Sequence, residues 1–168
     1  CRDIIYNPPE DFVVSGSPFF EFFLLEAYQQ DGRVDDFIHT IRRDWGFMVL
    51  ADCSTFWEQW SQQLPNGRVT RSHCHGWSAA PTFFLTTYVL GIKPGGFGFA
   101  PIVIEPHIGN LSYCGGKMPL PNGEVIEMYC KRRGTALDVD IIAPNNAQLK
   151  INVPADSTVT VNGKAIKP

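Results

Sequence analysis

The residue types best suited to chemistry are concentrated in residues 54–81. Within this stretch Trp57 and Trp60 stand on either side of Glu58, which is its only acid. Indole rings beside a carboxylate lower the local dielectric, which suits a general acid or base. The same rings can stack on the apolar face of a sugar. The cluster therefore favours two interpretations about equally: a general acid or base at Glu58 beside rings that can stack on a sugar, or a surface acid between core tryptophans.

Two histidines follow in the same stretch, His73 and His75. Because one residue separates them, they point to the same side if the backbone is extended. We expect them to hydrogen-bond a neutral ligand rich in hydroxyl groups, and a structural role stays open for at least one of them. Cys53 or Cys74 could join them in a zinc site, but no second pair of ligands at metal spacing is present. We therefore expect no metal and no other cofactor, and Cys74 is disfavoured as a nucleophile.

A strongly apolar helix is predicted over residues 18–30. Ser17 is suited to cap its start, Pro18 needs no N–H partner there, and Asp31-Gly32 is suited to end it. Its aromatic and aliphatic side chains cover nearly every direction, so it has to be buried on most sides. We therefore expect more protein to pack against it, either an upstream region or a partner chain.

Two further helices are predicted in the first half. The second carries apolar residues at i, i+3, i+4 and i+7 from Val34 to Ile41. The third begins around Ser78, because a proline is tolerated only in a first turn, and it ends at Gly91. Between them the chain is predicted to be loop-like, with Trp45 following the second helix and packing in the core.

The period of the pattern changes to two in the second half. Residues 91–99, GIKPGGFGF, are rich in glycine and are predicted to form a linker. Apolar and polar residues then alternate between turn signals such as Pro121-Asn122-Gly123 and Asn162-Gly163. This pattern predicts a small antiparallel sandwich. The domains are therefore expected at 1–92 and 93–168.

The totals exclude several classes of protein. The chain has 168 residues and a net charge of −3, which gives no reason to expect a nucleic-acid partner. No apolar run is long enough for a membrane span. Five cysteines at irregular spacing indicate neither a disulfide framework nor a zinc pattern, and an odd number favours a reducing compartment. The chain begins with Cys1 rather than Met, which indicates a processed or truncated start, or a piece of something longer.

Together, several blocks resemble a known family. The order SPFFEFFLLEAYQQ, DCSTFWEQW, RSHCHGWSAAPTFFL and PIVIEPHIGNLSYCGG is similar to the closing portion of inverting α-L-rhamnosidases of the six-hairpin type, glycoside hydrolase family 78. The TFWEQW and SHCHGW blocks are its specific parts. The resemblance implies an α+β, multi-part fold, with the last helices of an (α/α)6 barrel followed by a C-terminal antiparallel β-sandwich.

The resemblance also implies roles for individual residues. Glu58 matches the general base that activates water, and His73 is the better match to the histidine that contacts rhamnose, with His75 possible. Trp57 and Trp60 then wall a pocket that suits the methyl group of a deoxy sugar. The family's general acid lies in an upstream stretch that this chain lacks. We therefore expect a rhamnose-containing carbohydrate as ligand, the remainder of the barrel as partner, and no turnover by this chain alone.

Two other functions stay open at this stage. A rhamnose-directed polysaccharide lyase would use similar pocket residues on a rhamnosyl-uronic acid linkage. A non-catalytic carbohydrate-binding or structural piece would bind sugar without turnover.

Overall fold

A computed structural model describes residues 4, 8–13, 15–60 and 70–167. These residues form two compact units, one within Cys1–Asp31 and His39–Ala80 and the other within Gly32–Ile38 and Pro81–Pro168. The chain start at Cys1 and residues 61–69 of the candidate stretch lie outside the described residues.

The first helix, α1, spans Pro18–Gln30, as predicted, and its C-cap Asp31 donates its N–H to the Ala27 carbonyl at 3.0 Å. The predicted cap at the start is wrong in one detail, because the Ser17 hydroxyl makes no capping hydrogen bond.

One stripe of α1 is buried and an aromatic face is not. The buried stripe comprises Pro18, Glu21, Leu25 and Tyr28. Phe19, Phe20 and Phe23 are 39%, 59% and 50% exposed. That further protein covers this face stays a prediction.

The second helix, α2, spans Val34–Leu50 and is longer than predicted. Trp45 therefore lies inside the helix rather than after it, and the loop-like part of the chain begins beyond Leu50. A glycine such as Gly46 costs only about 1 kcal/mol in a helix interior, which tertiary packing readily offsets. The core position predicted for Trp45 is confirmed, since it is 3% exposed and its indole N–H donates to the Ser78 carbonyl at 2.9 Å.

The third helical segment changes its winding along its length. A 3-10 turn over Gly76–Ser78 precedes α3, Ala80–Phe84, which continues as a π-helical turn over Leu85–Val89. Phe84 and Tyr88 both pack edge-on against Phe37, with ring centroids 5.7 and 5.1 Å away.

Two sheets make up the second half, as the period-two pattern predicts. The strands are β1 (Ile92–Pro94), β2 (Ile102–Ile104), β3 (Tyr113–Pro119), β4 (Val125–Arg133), β5 (Ala136–Ile142), β6 (Leu149–Ile151), β7 (Thr158–Val161) and β8 (Lys164–Ile166). One sheet has the order β1-β2-β6 and the other β3-β4-β5-β7-β8. Most pairs are antiparallel, but β2–β6 and β5–β7 are parallel. Ile126 and Met128 of β4 and Val139 and Ile141 of β5 are at most 1% exposed, and they belong to the same core cluster as Ile92 and Ile104 of the other sheet.

The predicted linker is wrong. Residues 92–94 are β1, which pairs with β2 in the register Ile92↔Ile104. The segment is rich in glycine because its backbone packs closely against a neighbouring segment of the chain, and not because it is a flexible linker. A Cβ on Gly91 would lie 2.1 Å from the Glu105 carbonyl oxygen.

The sequence pattern did not predict strand β3. Gly115, Gly116 and Pro119 all weigh against a strand. The strand forms because seven residue pairs match it to β4, and because Gly115 leaves room for the Tyr129 ring across the sheet.

Candidate active site

The two blocks that carry the candidate residues lie side by side in the first unit. The Glu58 N–H donates to the Ser72 carbonyl at 3.0 Å, and the His75 N–H donates to the Phe56 carbonyl at 2.8 Å. These main-chain bonds join the segment that contains the acid to the segment that contains the histidines. The structure therefore brings together residues that are well separated in the sequence.

Side-chain hydroxyls reinforce the contact between the two segments. The Thr55 hydroxyl donates to the His73 carbonyl, and the Gln59 N–H donates to Thr70 Oγ1 at 3.1 Å. Thr70 Oγ1 in turn donates to the Ser72 carbonyl at 3.2 Å. Hydrogen bonds consequently hold the backbone on both sides of Glu58.

Aromatic contacts wall this site. Trp57 packs edge-on against Phe47 and against the exposed His73, with ring centroids 5.7 and 5.0 Å away. His75 packs on a different tryptophan, Trp77, at 6.0 Å. The two histidines therefore have different surroundings, and His73 lies nearer the Trp-Glu block.

Glu58 and Trp60 are both half-buried. The Trp60 indole N–H is buried and has no hydrogen-bond partner in the described part of the chain. No ring contact ties Trp60 to the other candidate residues among those described. The Glu58 side chain keeps access to solvent.

The described residues lack the features that a metal site and a membrane-spanning helix require. Within them, no cluster of three or more His, Cys, Asp and Glu side chains could hold a metal ion. None of the described helices combines the length and the apolar character that a membrane crossing requires.

Sequence analysis overlooked a buried acid, Glu21 on α1. It is 3% exposed, and its Oε2 has no hydrogen-bond partner among the described residues. Loss of water raises the pKa of this carboxyl to about 7, and nearby Asp44 adds to the rise, while a hydrogen bond from Ser15 and the charge of Arg43 oppose it. Its place on the stripe of Pro18 and Leu25 was the signal that could have revealed it.

Replacement of Glu21 by Gln is expected to stabilise the protein at alkaline pH and to change little near pH 4. In the unfolded chain this carboxyl loses its proton around 4.5, whereas the folded state holds it until about 7. Unfolding therefore releases a proton in this window, so the stability of the unmodified protein falls as the pH rises through it. The expected gain above pH 7 is about 2–3 kcal/mol in the free energy of unfolding.

Urea unfolding at several pH values measures this effect. Glu26→Gln, which removes an exposed acid from the same helix, is the matched control and should show no such pH dependence. Parallel pH profiles for Glu21→Gln and the unmodified protein would rule out the buried-acid assignment.

Family comparisons match both halves of the chain. Residues 11–89 match the bacterial α-L-rhamnosidase six-hairpin glycosidase domain, and residues 91–166 match the bacterial α-L-rhamnosidase C-terminal domain. The helices followed by two sheets are thus the helical end and the C-terminal β domain of a six-hairpin glycosidase, which confirms the predicted fold class.

Solved structures agree with this class. The GH78 family rhamnosidase of Bacillus sp. GL1 is 35% identical with a TM-score of 0.82, over 95% of this chain and 18% of that one. The α-L-rhamnosidase from Dictyoglumus thermophilum shares the fold at 21% identity with a TM-score of 0.59, over 80% of this chain and 15% of that one. No curated protein matched. The chain belongs to glycoside hydrolase family 78, the α-L-rhamnosidases, and it spans less than a fifth of the length of these two relatives.

Proposed function

We propose that the complete protein removes terminal α-L-rhamnose from glycosides or polysaccharides with inversion, and that Glu58 is the general base. The observation that supports this most strongly is the main-chain pairing of the Glu58 segment with the His73 segment. It joins the backbone of the half-buried Glu58 to the segment whose exposed His73 ring packs on Trp57, within a family of glycosidases.

The chemistry needs two carboxyl groups with different tasks. Inverting glycosidases hold them about 6.5–9.5 Å apart, which leaves room for a water molecule between base and sugar. Glu58 takes a proton from this water molecule while the oxygen of the water forms a bond to the anomeric carbon. On the opposite face the bond to the leaving oxygen breaks, and a protonated carboxyl group donates its proton to that oxygen. We propose that this acid comes from the remainder of the barrel.

The surrounding side chains suit a deoxy sugar. Trp57 and Trp60 offer apolar surface to the ring face and to the methyl group, while His73 offers a donor and an acceptor to the hydroxyls. This combination of apolar walls and a few polar groups is typical of small-ligand pockets.

The exposed aromatic face of α1 supports a missing partner. Phe19, Phe20 and Phe23 are all more than a third exposed, and Phe19 also packs on Trp77, with ring centroids 4.9 Å away. We propose that the rest of the barrel covers this face, so that the isolated chain is inactive. The domain division at residues 92 and 93 is part of the same proposal.

Hydrolysis of an aryl α-L-rhamnoside by the complete protein tests the proposal. Proton NMR of the reaction should show β-L-rhamnose as the first sugar released, before it equilibrates. An α product would exclude inversion. With a rhamnosyl-uronic acid polysaccharide as a second substrate, formation of an unsaturated uronate that absorbs in the ultraviolet would instead indicate a lyase. Binding of sugar without turnover of either substrate would indicate a non-catalytic module.

His73→Ala is expected to lower kcat/KM by about tenfold, because it removes a hydrogen bond worth about 1–1.5 kcal/mol. His75→Ala serves as the comparison, since its ring lies on Trp77 rather than on the Trp-Glu block, and should cost less. Steady-state kinetics on an aryl rhamnoside measures both. A larger loss for His75→Ala would transfer the sugar contact to His75.

A further inference from the structure

A cavity of about 230 Å³ lies in the second unit, and none of the candidate site residues lines it. Three loops line it: the turn before β2, the β3–β4 turn and the β5–β6 connection. Its lining includes the apolar residues Phe99 and Leu120 and the polar residues Asn122, Asn146 and Gln148. The volume lies below the roughly 300–1,000 Å³ of pockets for drug-sized ligands, which suits one sugar ring.

The turn that presents Phe99 is closely built rather than loose. A Cβ on Gly95 would lie 2.7 Å from Val103 Cγ2, and one on Gly96 would lie 2.6 Å from the Ala100 carbonyl oxygen. The chain doubles back here, since the Gly95 N–H donates to the Pro101 carbonyl at 2.8 Å. This is the segment that the sequence presented as a linker.

Phe99 itself has a costly backbone. Its φ of 62° lies in the left-handed region, which a bulky side chain rarely adopts. Backbone strain of this kind is concentrated at functional sites, where the surrounding structure holds it in place. The same turn leaves the ring of Phe97 fully exposed. The turn thus places two aromatic rings, one at the cavity and one in solvent.

Hydrogen-bonding groups also line the cavity. Asn122 is already paired, because its amide donates to Glu124 Oε2 at 2.5 Å. Asn146 and Gln148 are exposed, and within the described residues their side chains make no hydrogen bond. Each of these two amides offers both donors and acceptors.

The charge of the lining selects among ligands. No lysine or arginine lines the cavity among the described residues, and Glu124 contributes a carboxylate. The Glu124 carboxylate would repel an anionic sugar, because no cationic side chain among the described lining residues balances the two negative charges. A neutral sugar would not be repelled.

We propose that this cavity binds a neutral pyranose unit of a glycan, with its C–H face on Phe99 and its hydroxyls on Asn146 and Gln148. The sugar class rests on the proposed glycosidase function, while the site is separate from the one at Glu58. Its lining residues are all different from those of the candidate active site.

Calorimetric titration of the complete protein carrying Glu58→Gln with the neutral disaccharide rutinose tests the site. We expect two equivalents to bind. Addition of Phe99→Gly, which removes the ring and suits the left-handed backbone, should leave one equivalent. Tyr113→Ala, which removes an exposed aromatic ring of β3 outside the cavity, should leave both.

Independent variants and the kinetics decide the remaining cases. Asn146→Ala with Gln148→Ala should weaken the second site by about tenfold, and this pair keeps the test valid if Phe99→Gly does not fold. Unchanged stoichiometry and affinity in all these variants, or equal binding of galacturonate, would overturn the inference. Failure to hydrolyse an aryl rhamnoside would refute the proposed function alone, because the second equivalent is measured without turnover.

Discussion

Glu58→Gln is expected to reduce kcat of the complete protein on an aryl rhamnoside by about 10²–10⁴-fold, the range that general bases contribute. The amide keeps the size of the side chain but cannot accept a proton from water. Folding should be unaffected, because the hydrogen bond described for this residue starts from its main-chain N–H. Thermal unfolding should therefore show the same midpoint for both proteins.

A nucleophile that needs no base distinguishes this role from a mere loss of binding. In Glu58→Ala, azide should restore release of the aryl group, because it attacks the anomeric carbon without giving up a proton. Glu26→Gln, which changes an exposed acid of α1, is the control and should retain full activity. Full activity of Glu58→Gln, or the absence of azide rescue, would exclude Glu58 as the base.

Gly91→Ala is expected to be the most destabilising small substitution in the β domain. Gly91 has a φ of 76°, and an added Cβ would meet the Glu105 carbonyl oxygen at 2.1 Å and its carbon at 2.2 Å. The left-handed backbone costs about 1–2 kcal/mol for a residue with a Cβ. The clash adds roughly 1–3 kcal/mol, because the backbone of Glu105 has to move.

Gly123→Ala isolates the second contribution. Gly123 has a similar φ of 85°, but a Cβ there would have no atom within 4 Å. The loss in the free energy of unfolding for Gly123→Ala should therefore come from the left-handed backbone alone. The loss for Gly91→Ala should be larger by the cost of the steric clash with Glu105. Urea unfolding measures both losses of stability. Equal losses would show that the Glu105 backbone moves away at no measurable energetic cost.

Local patterns predicted those elements whose own residues decide their conformation. Helix α1 matches its predicted residues, because an apolar run and its end signals lie within the segment itself. Strands β4 and β5 follow from alternation for the same reason. Elements whose conformation depends on packing against distant parts of the chain were not predicted correctly from the sequence. Helix α2 continues through Gly46, and β3 forms despite Gly115 and Gly116, because partners distant in the chain stabilise them.

The candidate site shows the same limit. Residue types and their clustering indicated Glu58 and both histidines, and the family resemblance favoured His73. No local period could show that the Glu58 N–H would reach the Ser72 carbonyl. The apolar stripe of α1 could have indicated that Glu21 is buried, but no pattern shows that its Oε2 lacks a hydrogen-bond partner among the described residues.

The pairing of the two segments at Glu58 has a consequence for tolerance to substitution. The N–H groups of Glu58 and His75 and the carbonyls of Ser72 and Phe56 belong to the main chain, which nearly every amino acid supplies. Variants of Phe56 or Ser72 can therefore change shape and polarity around the carboxylate without releasing its backbone. Proline is the exception at residues 58 and 75, since it has no N–H to donate. A saturation library selected for folding should accept most residues at these four positions and should reject proline at those two.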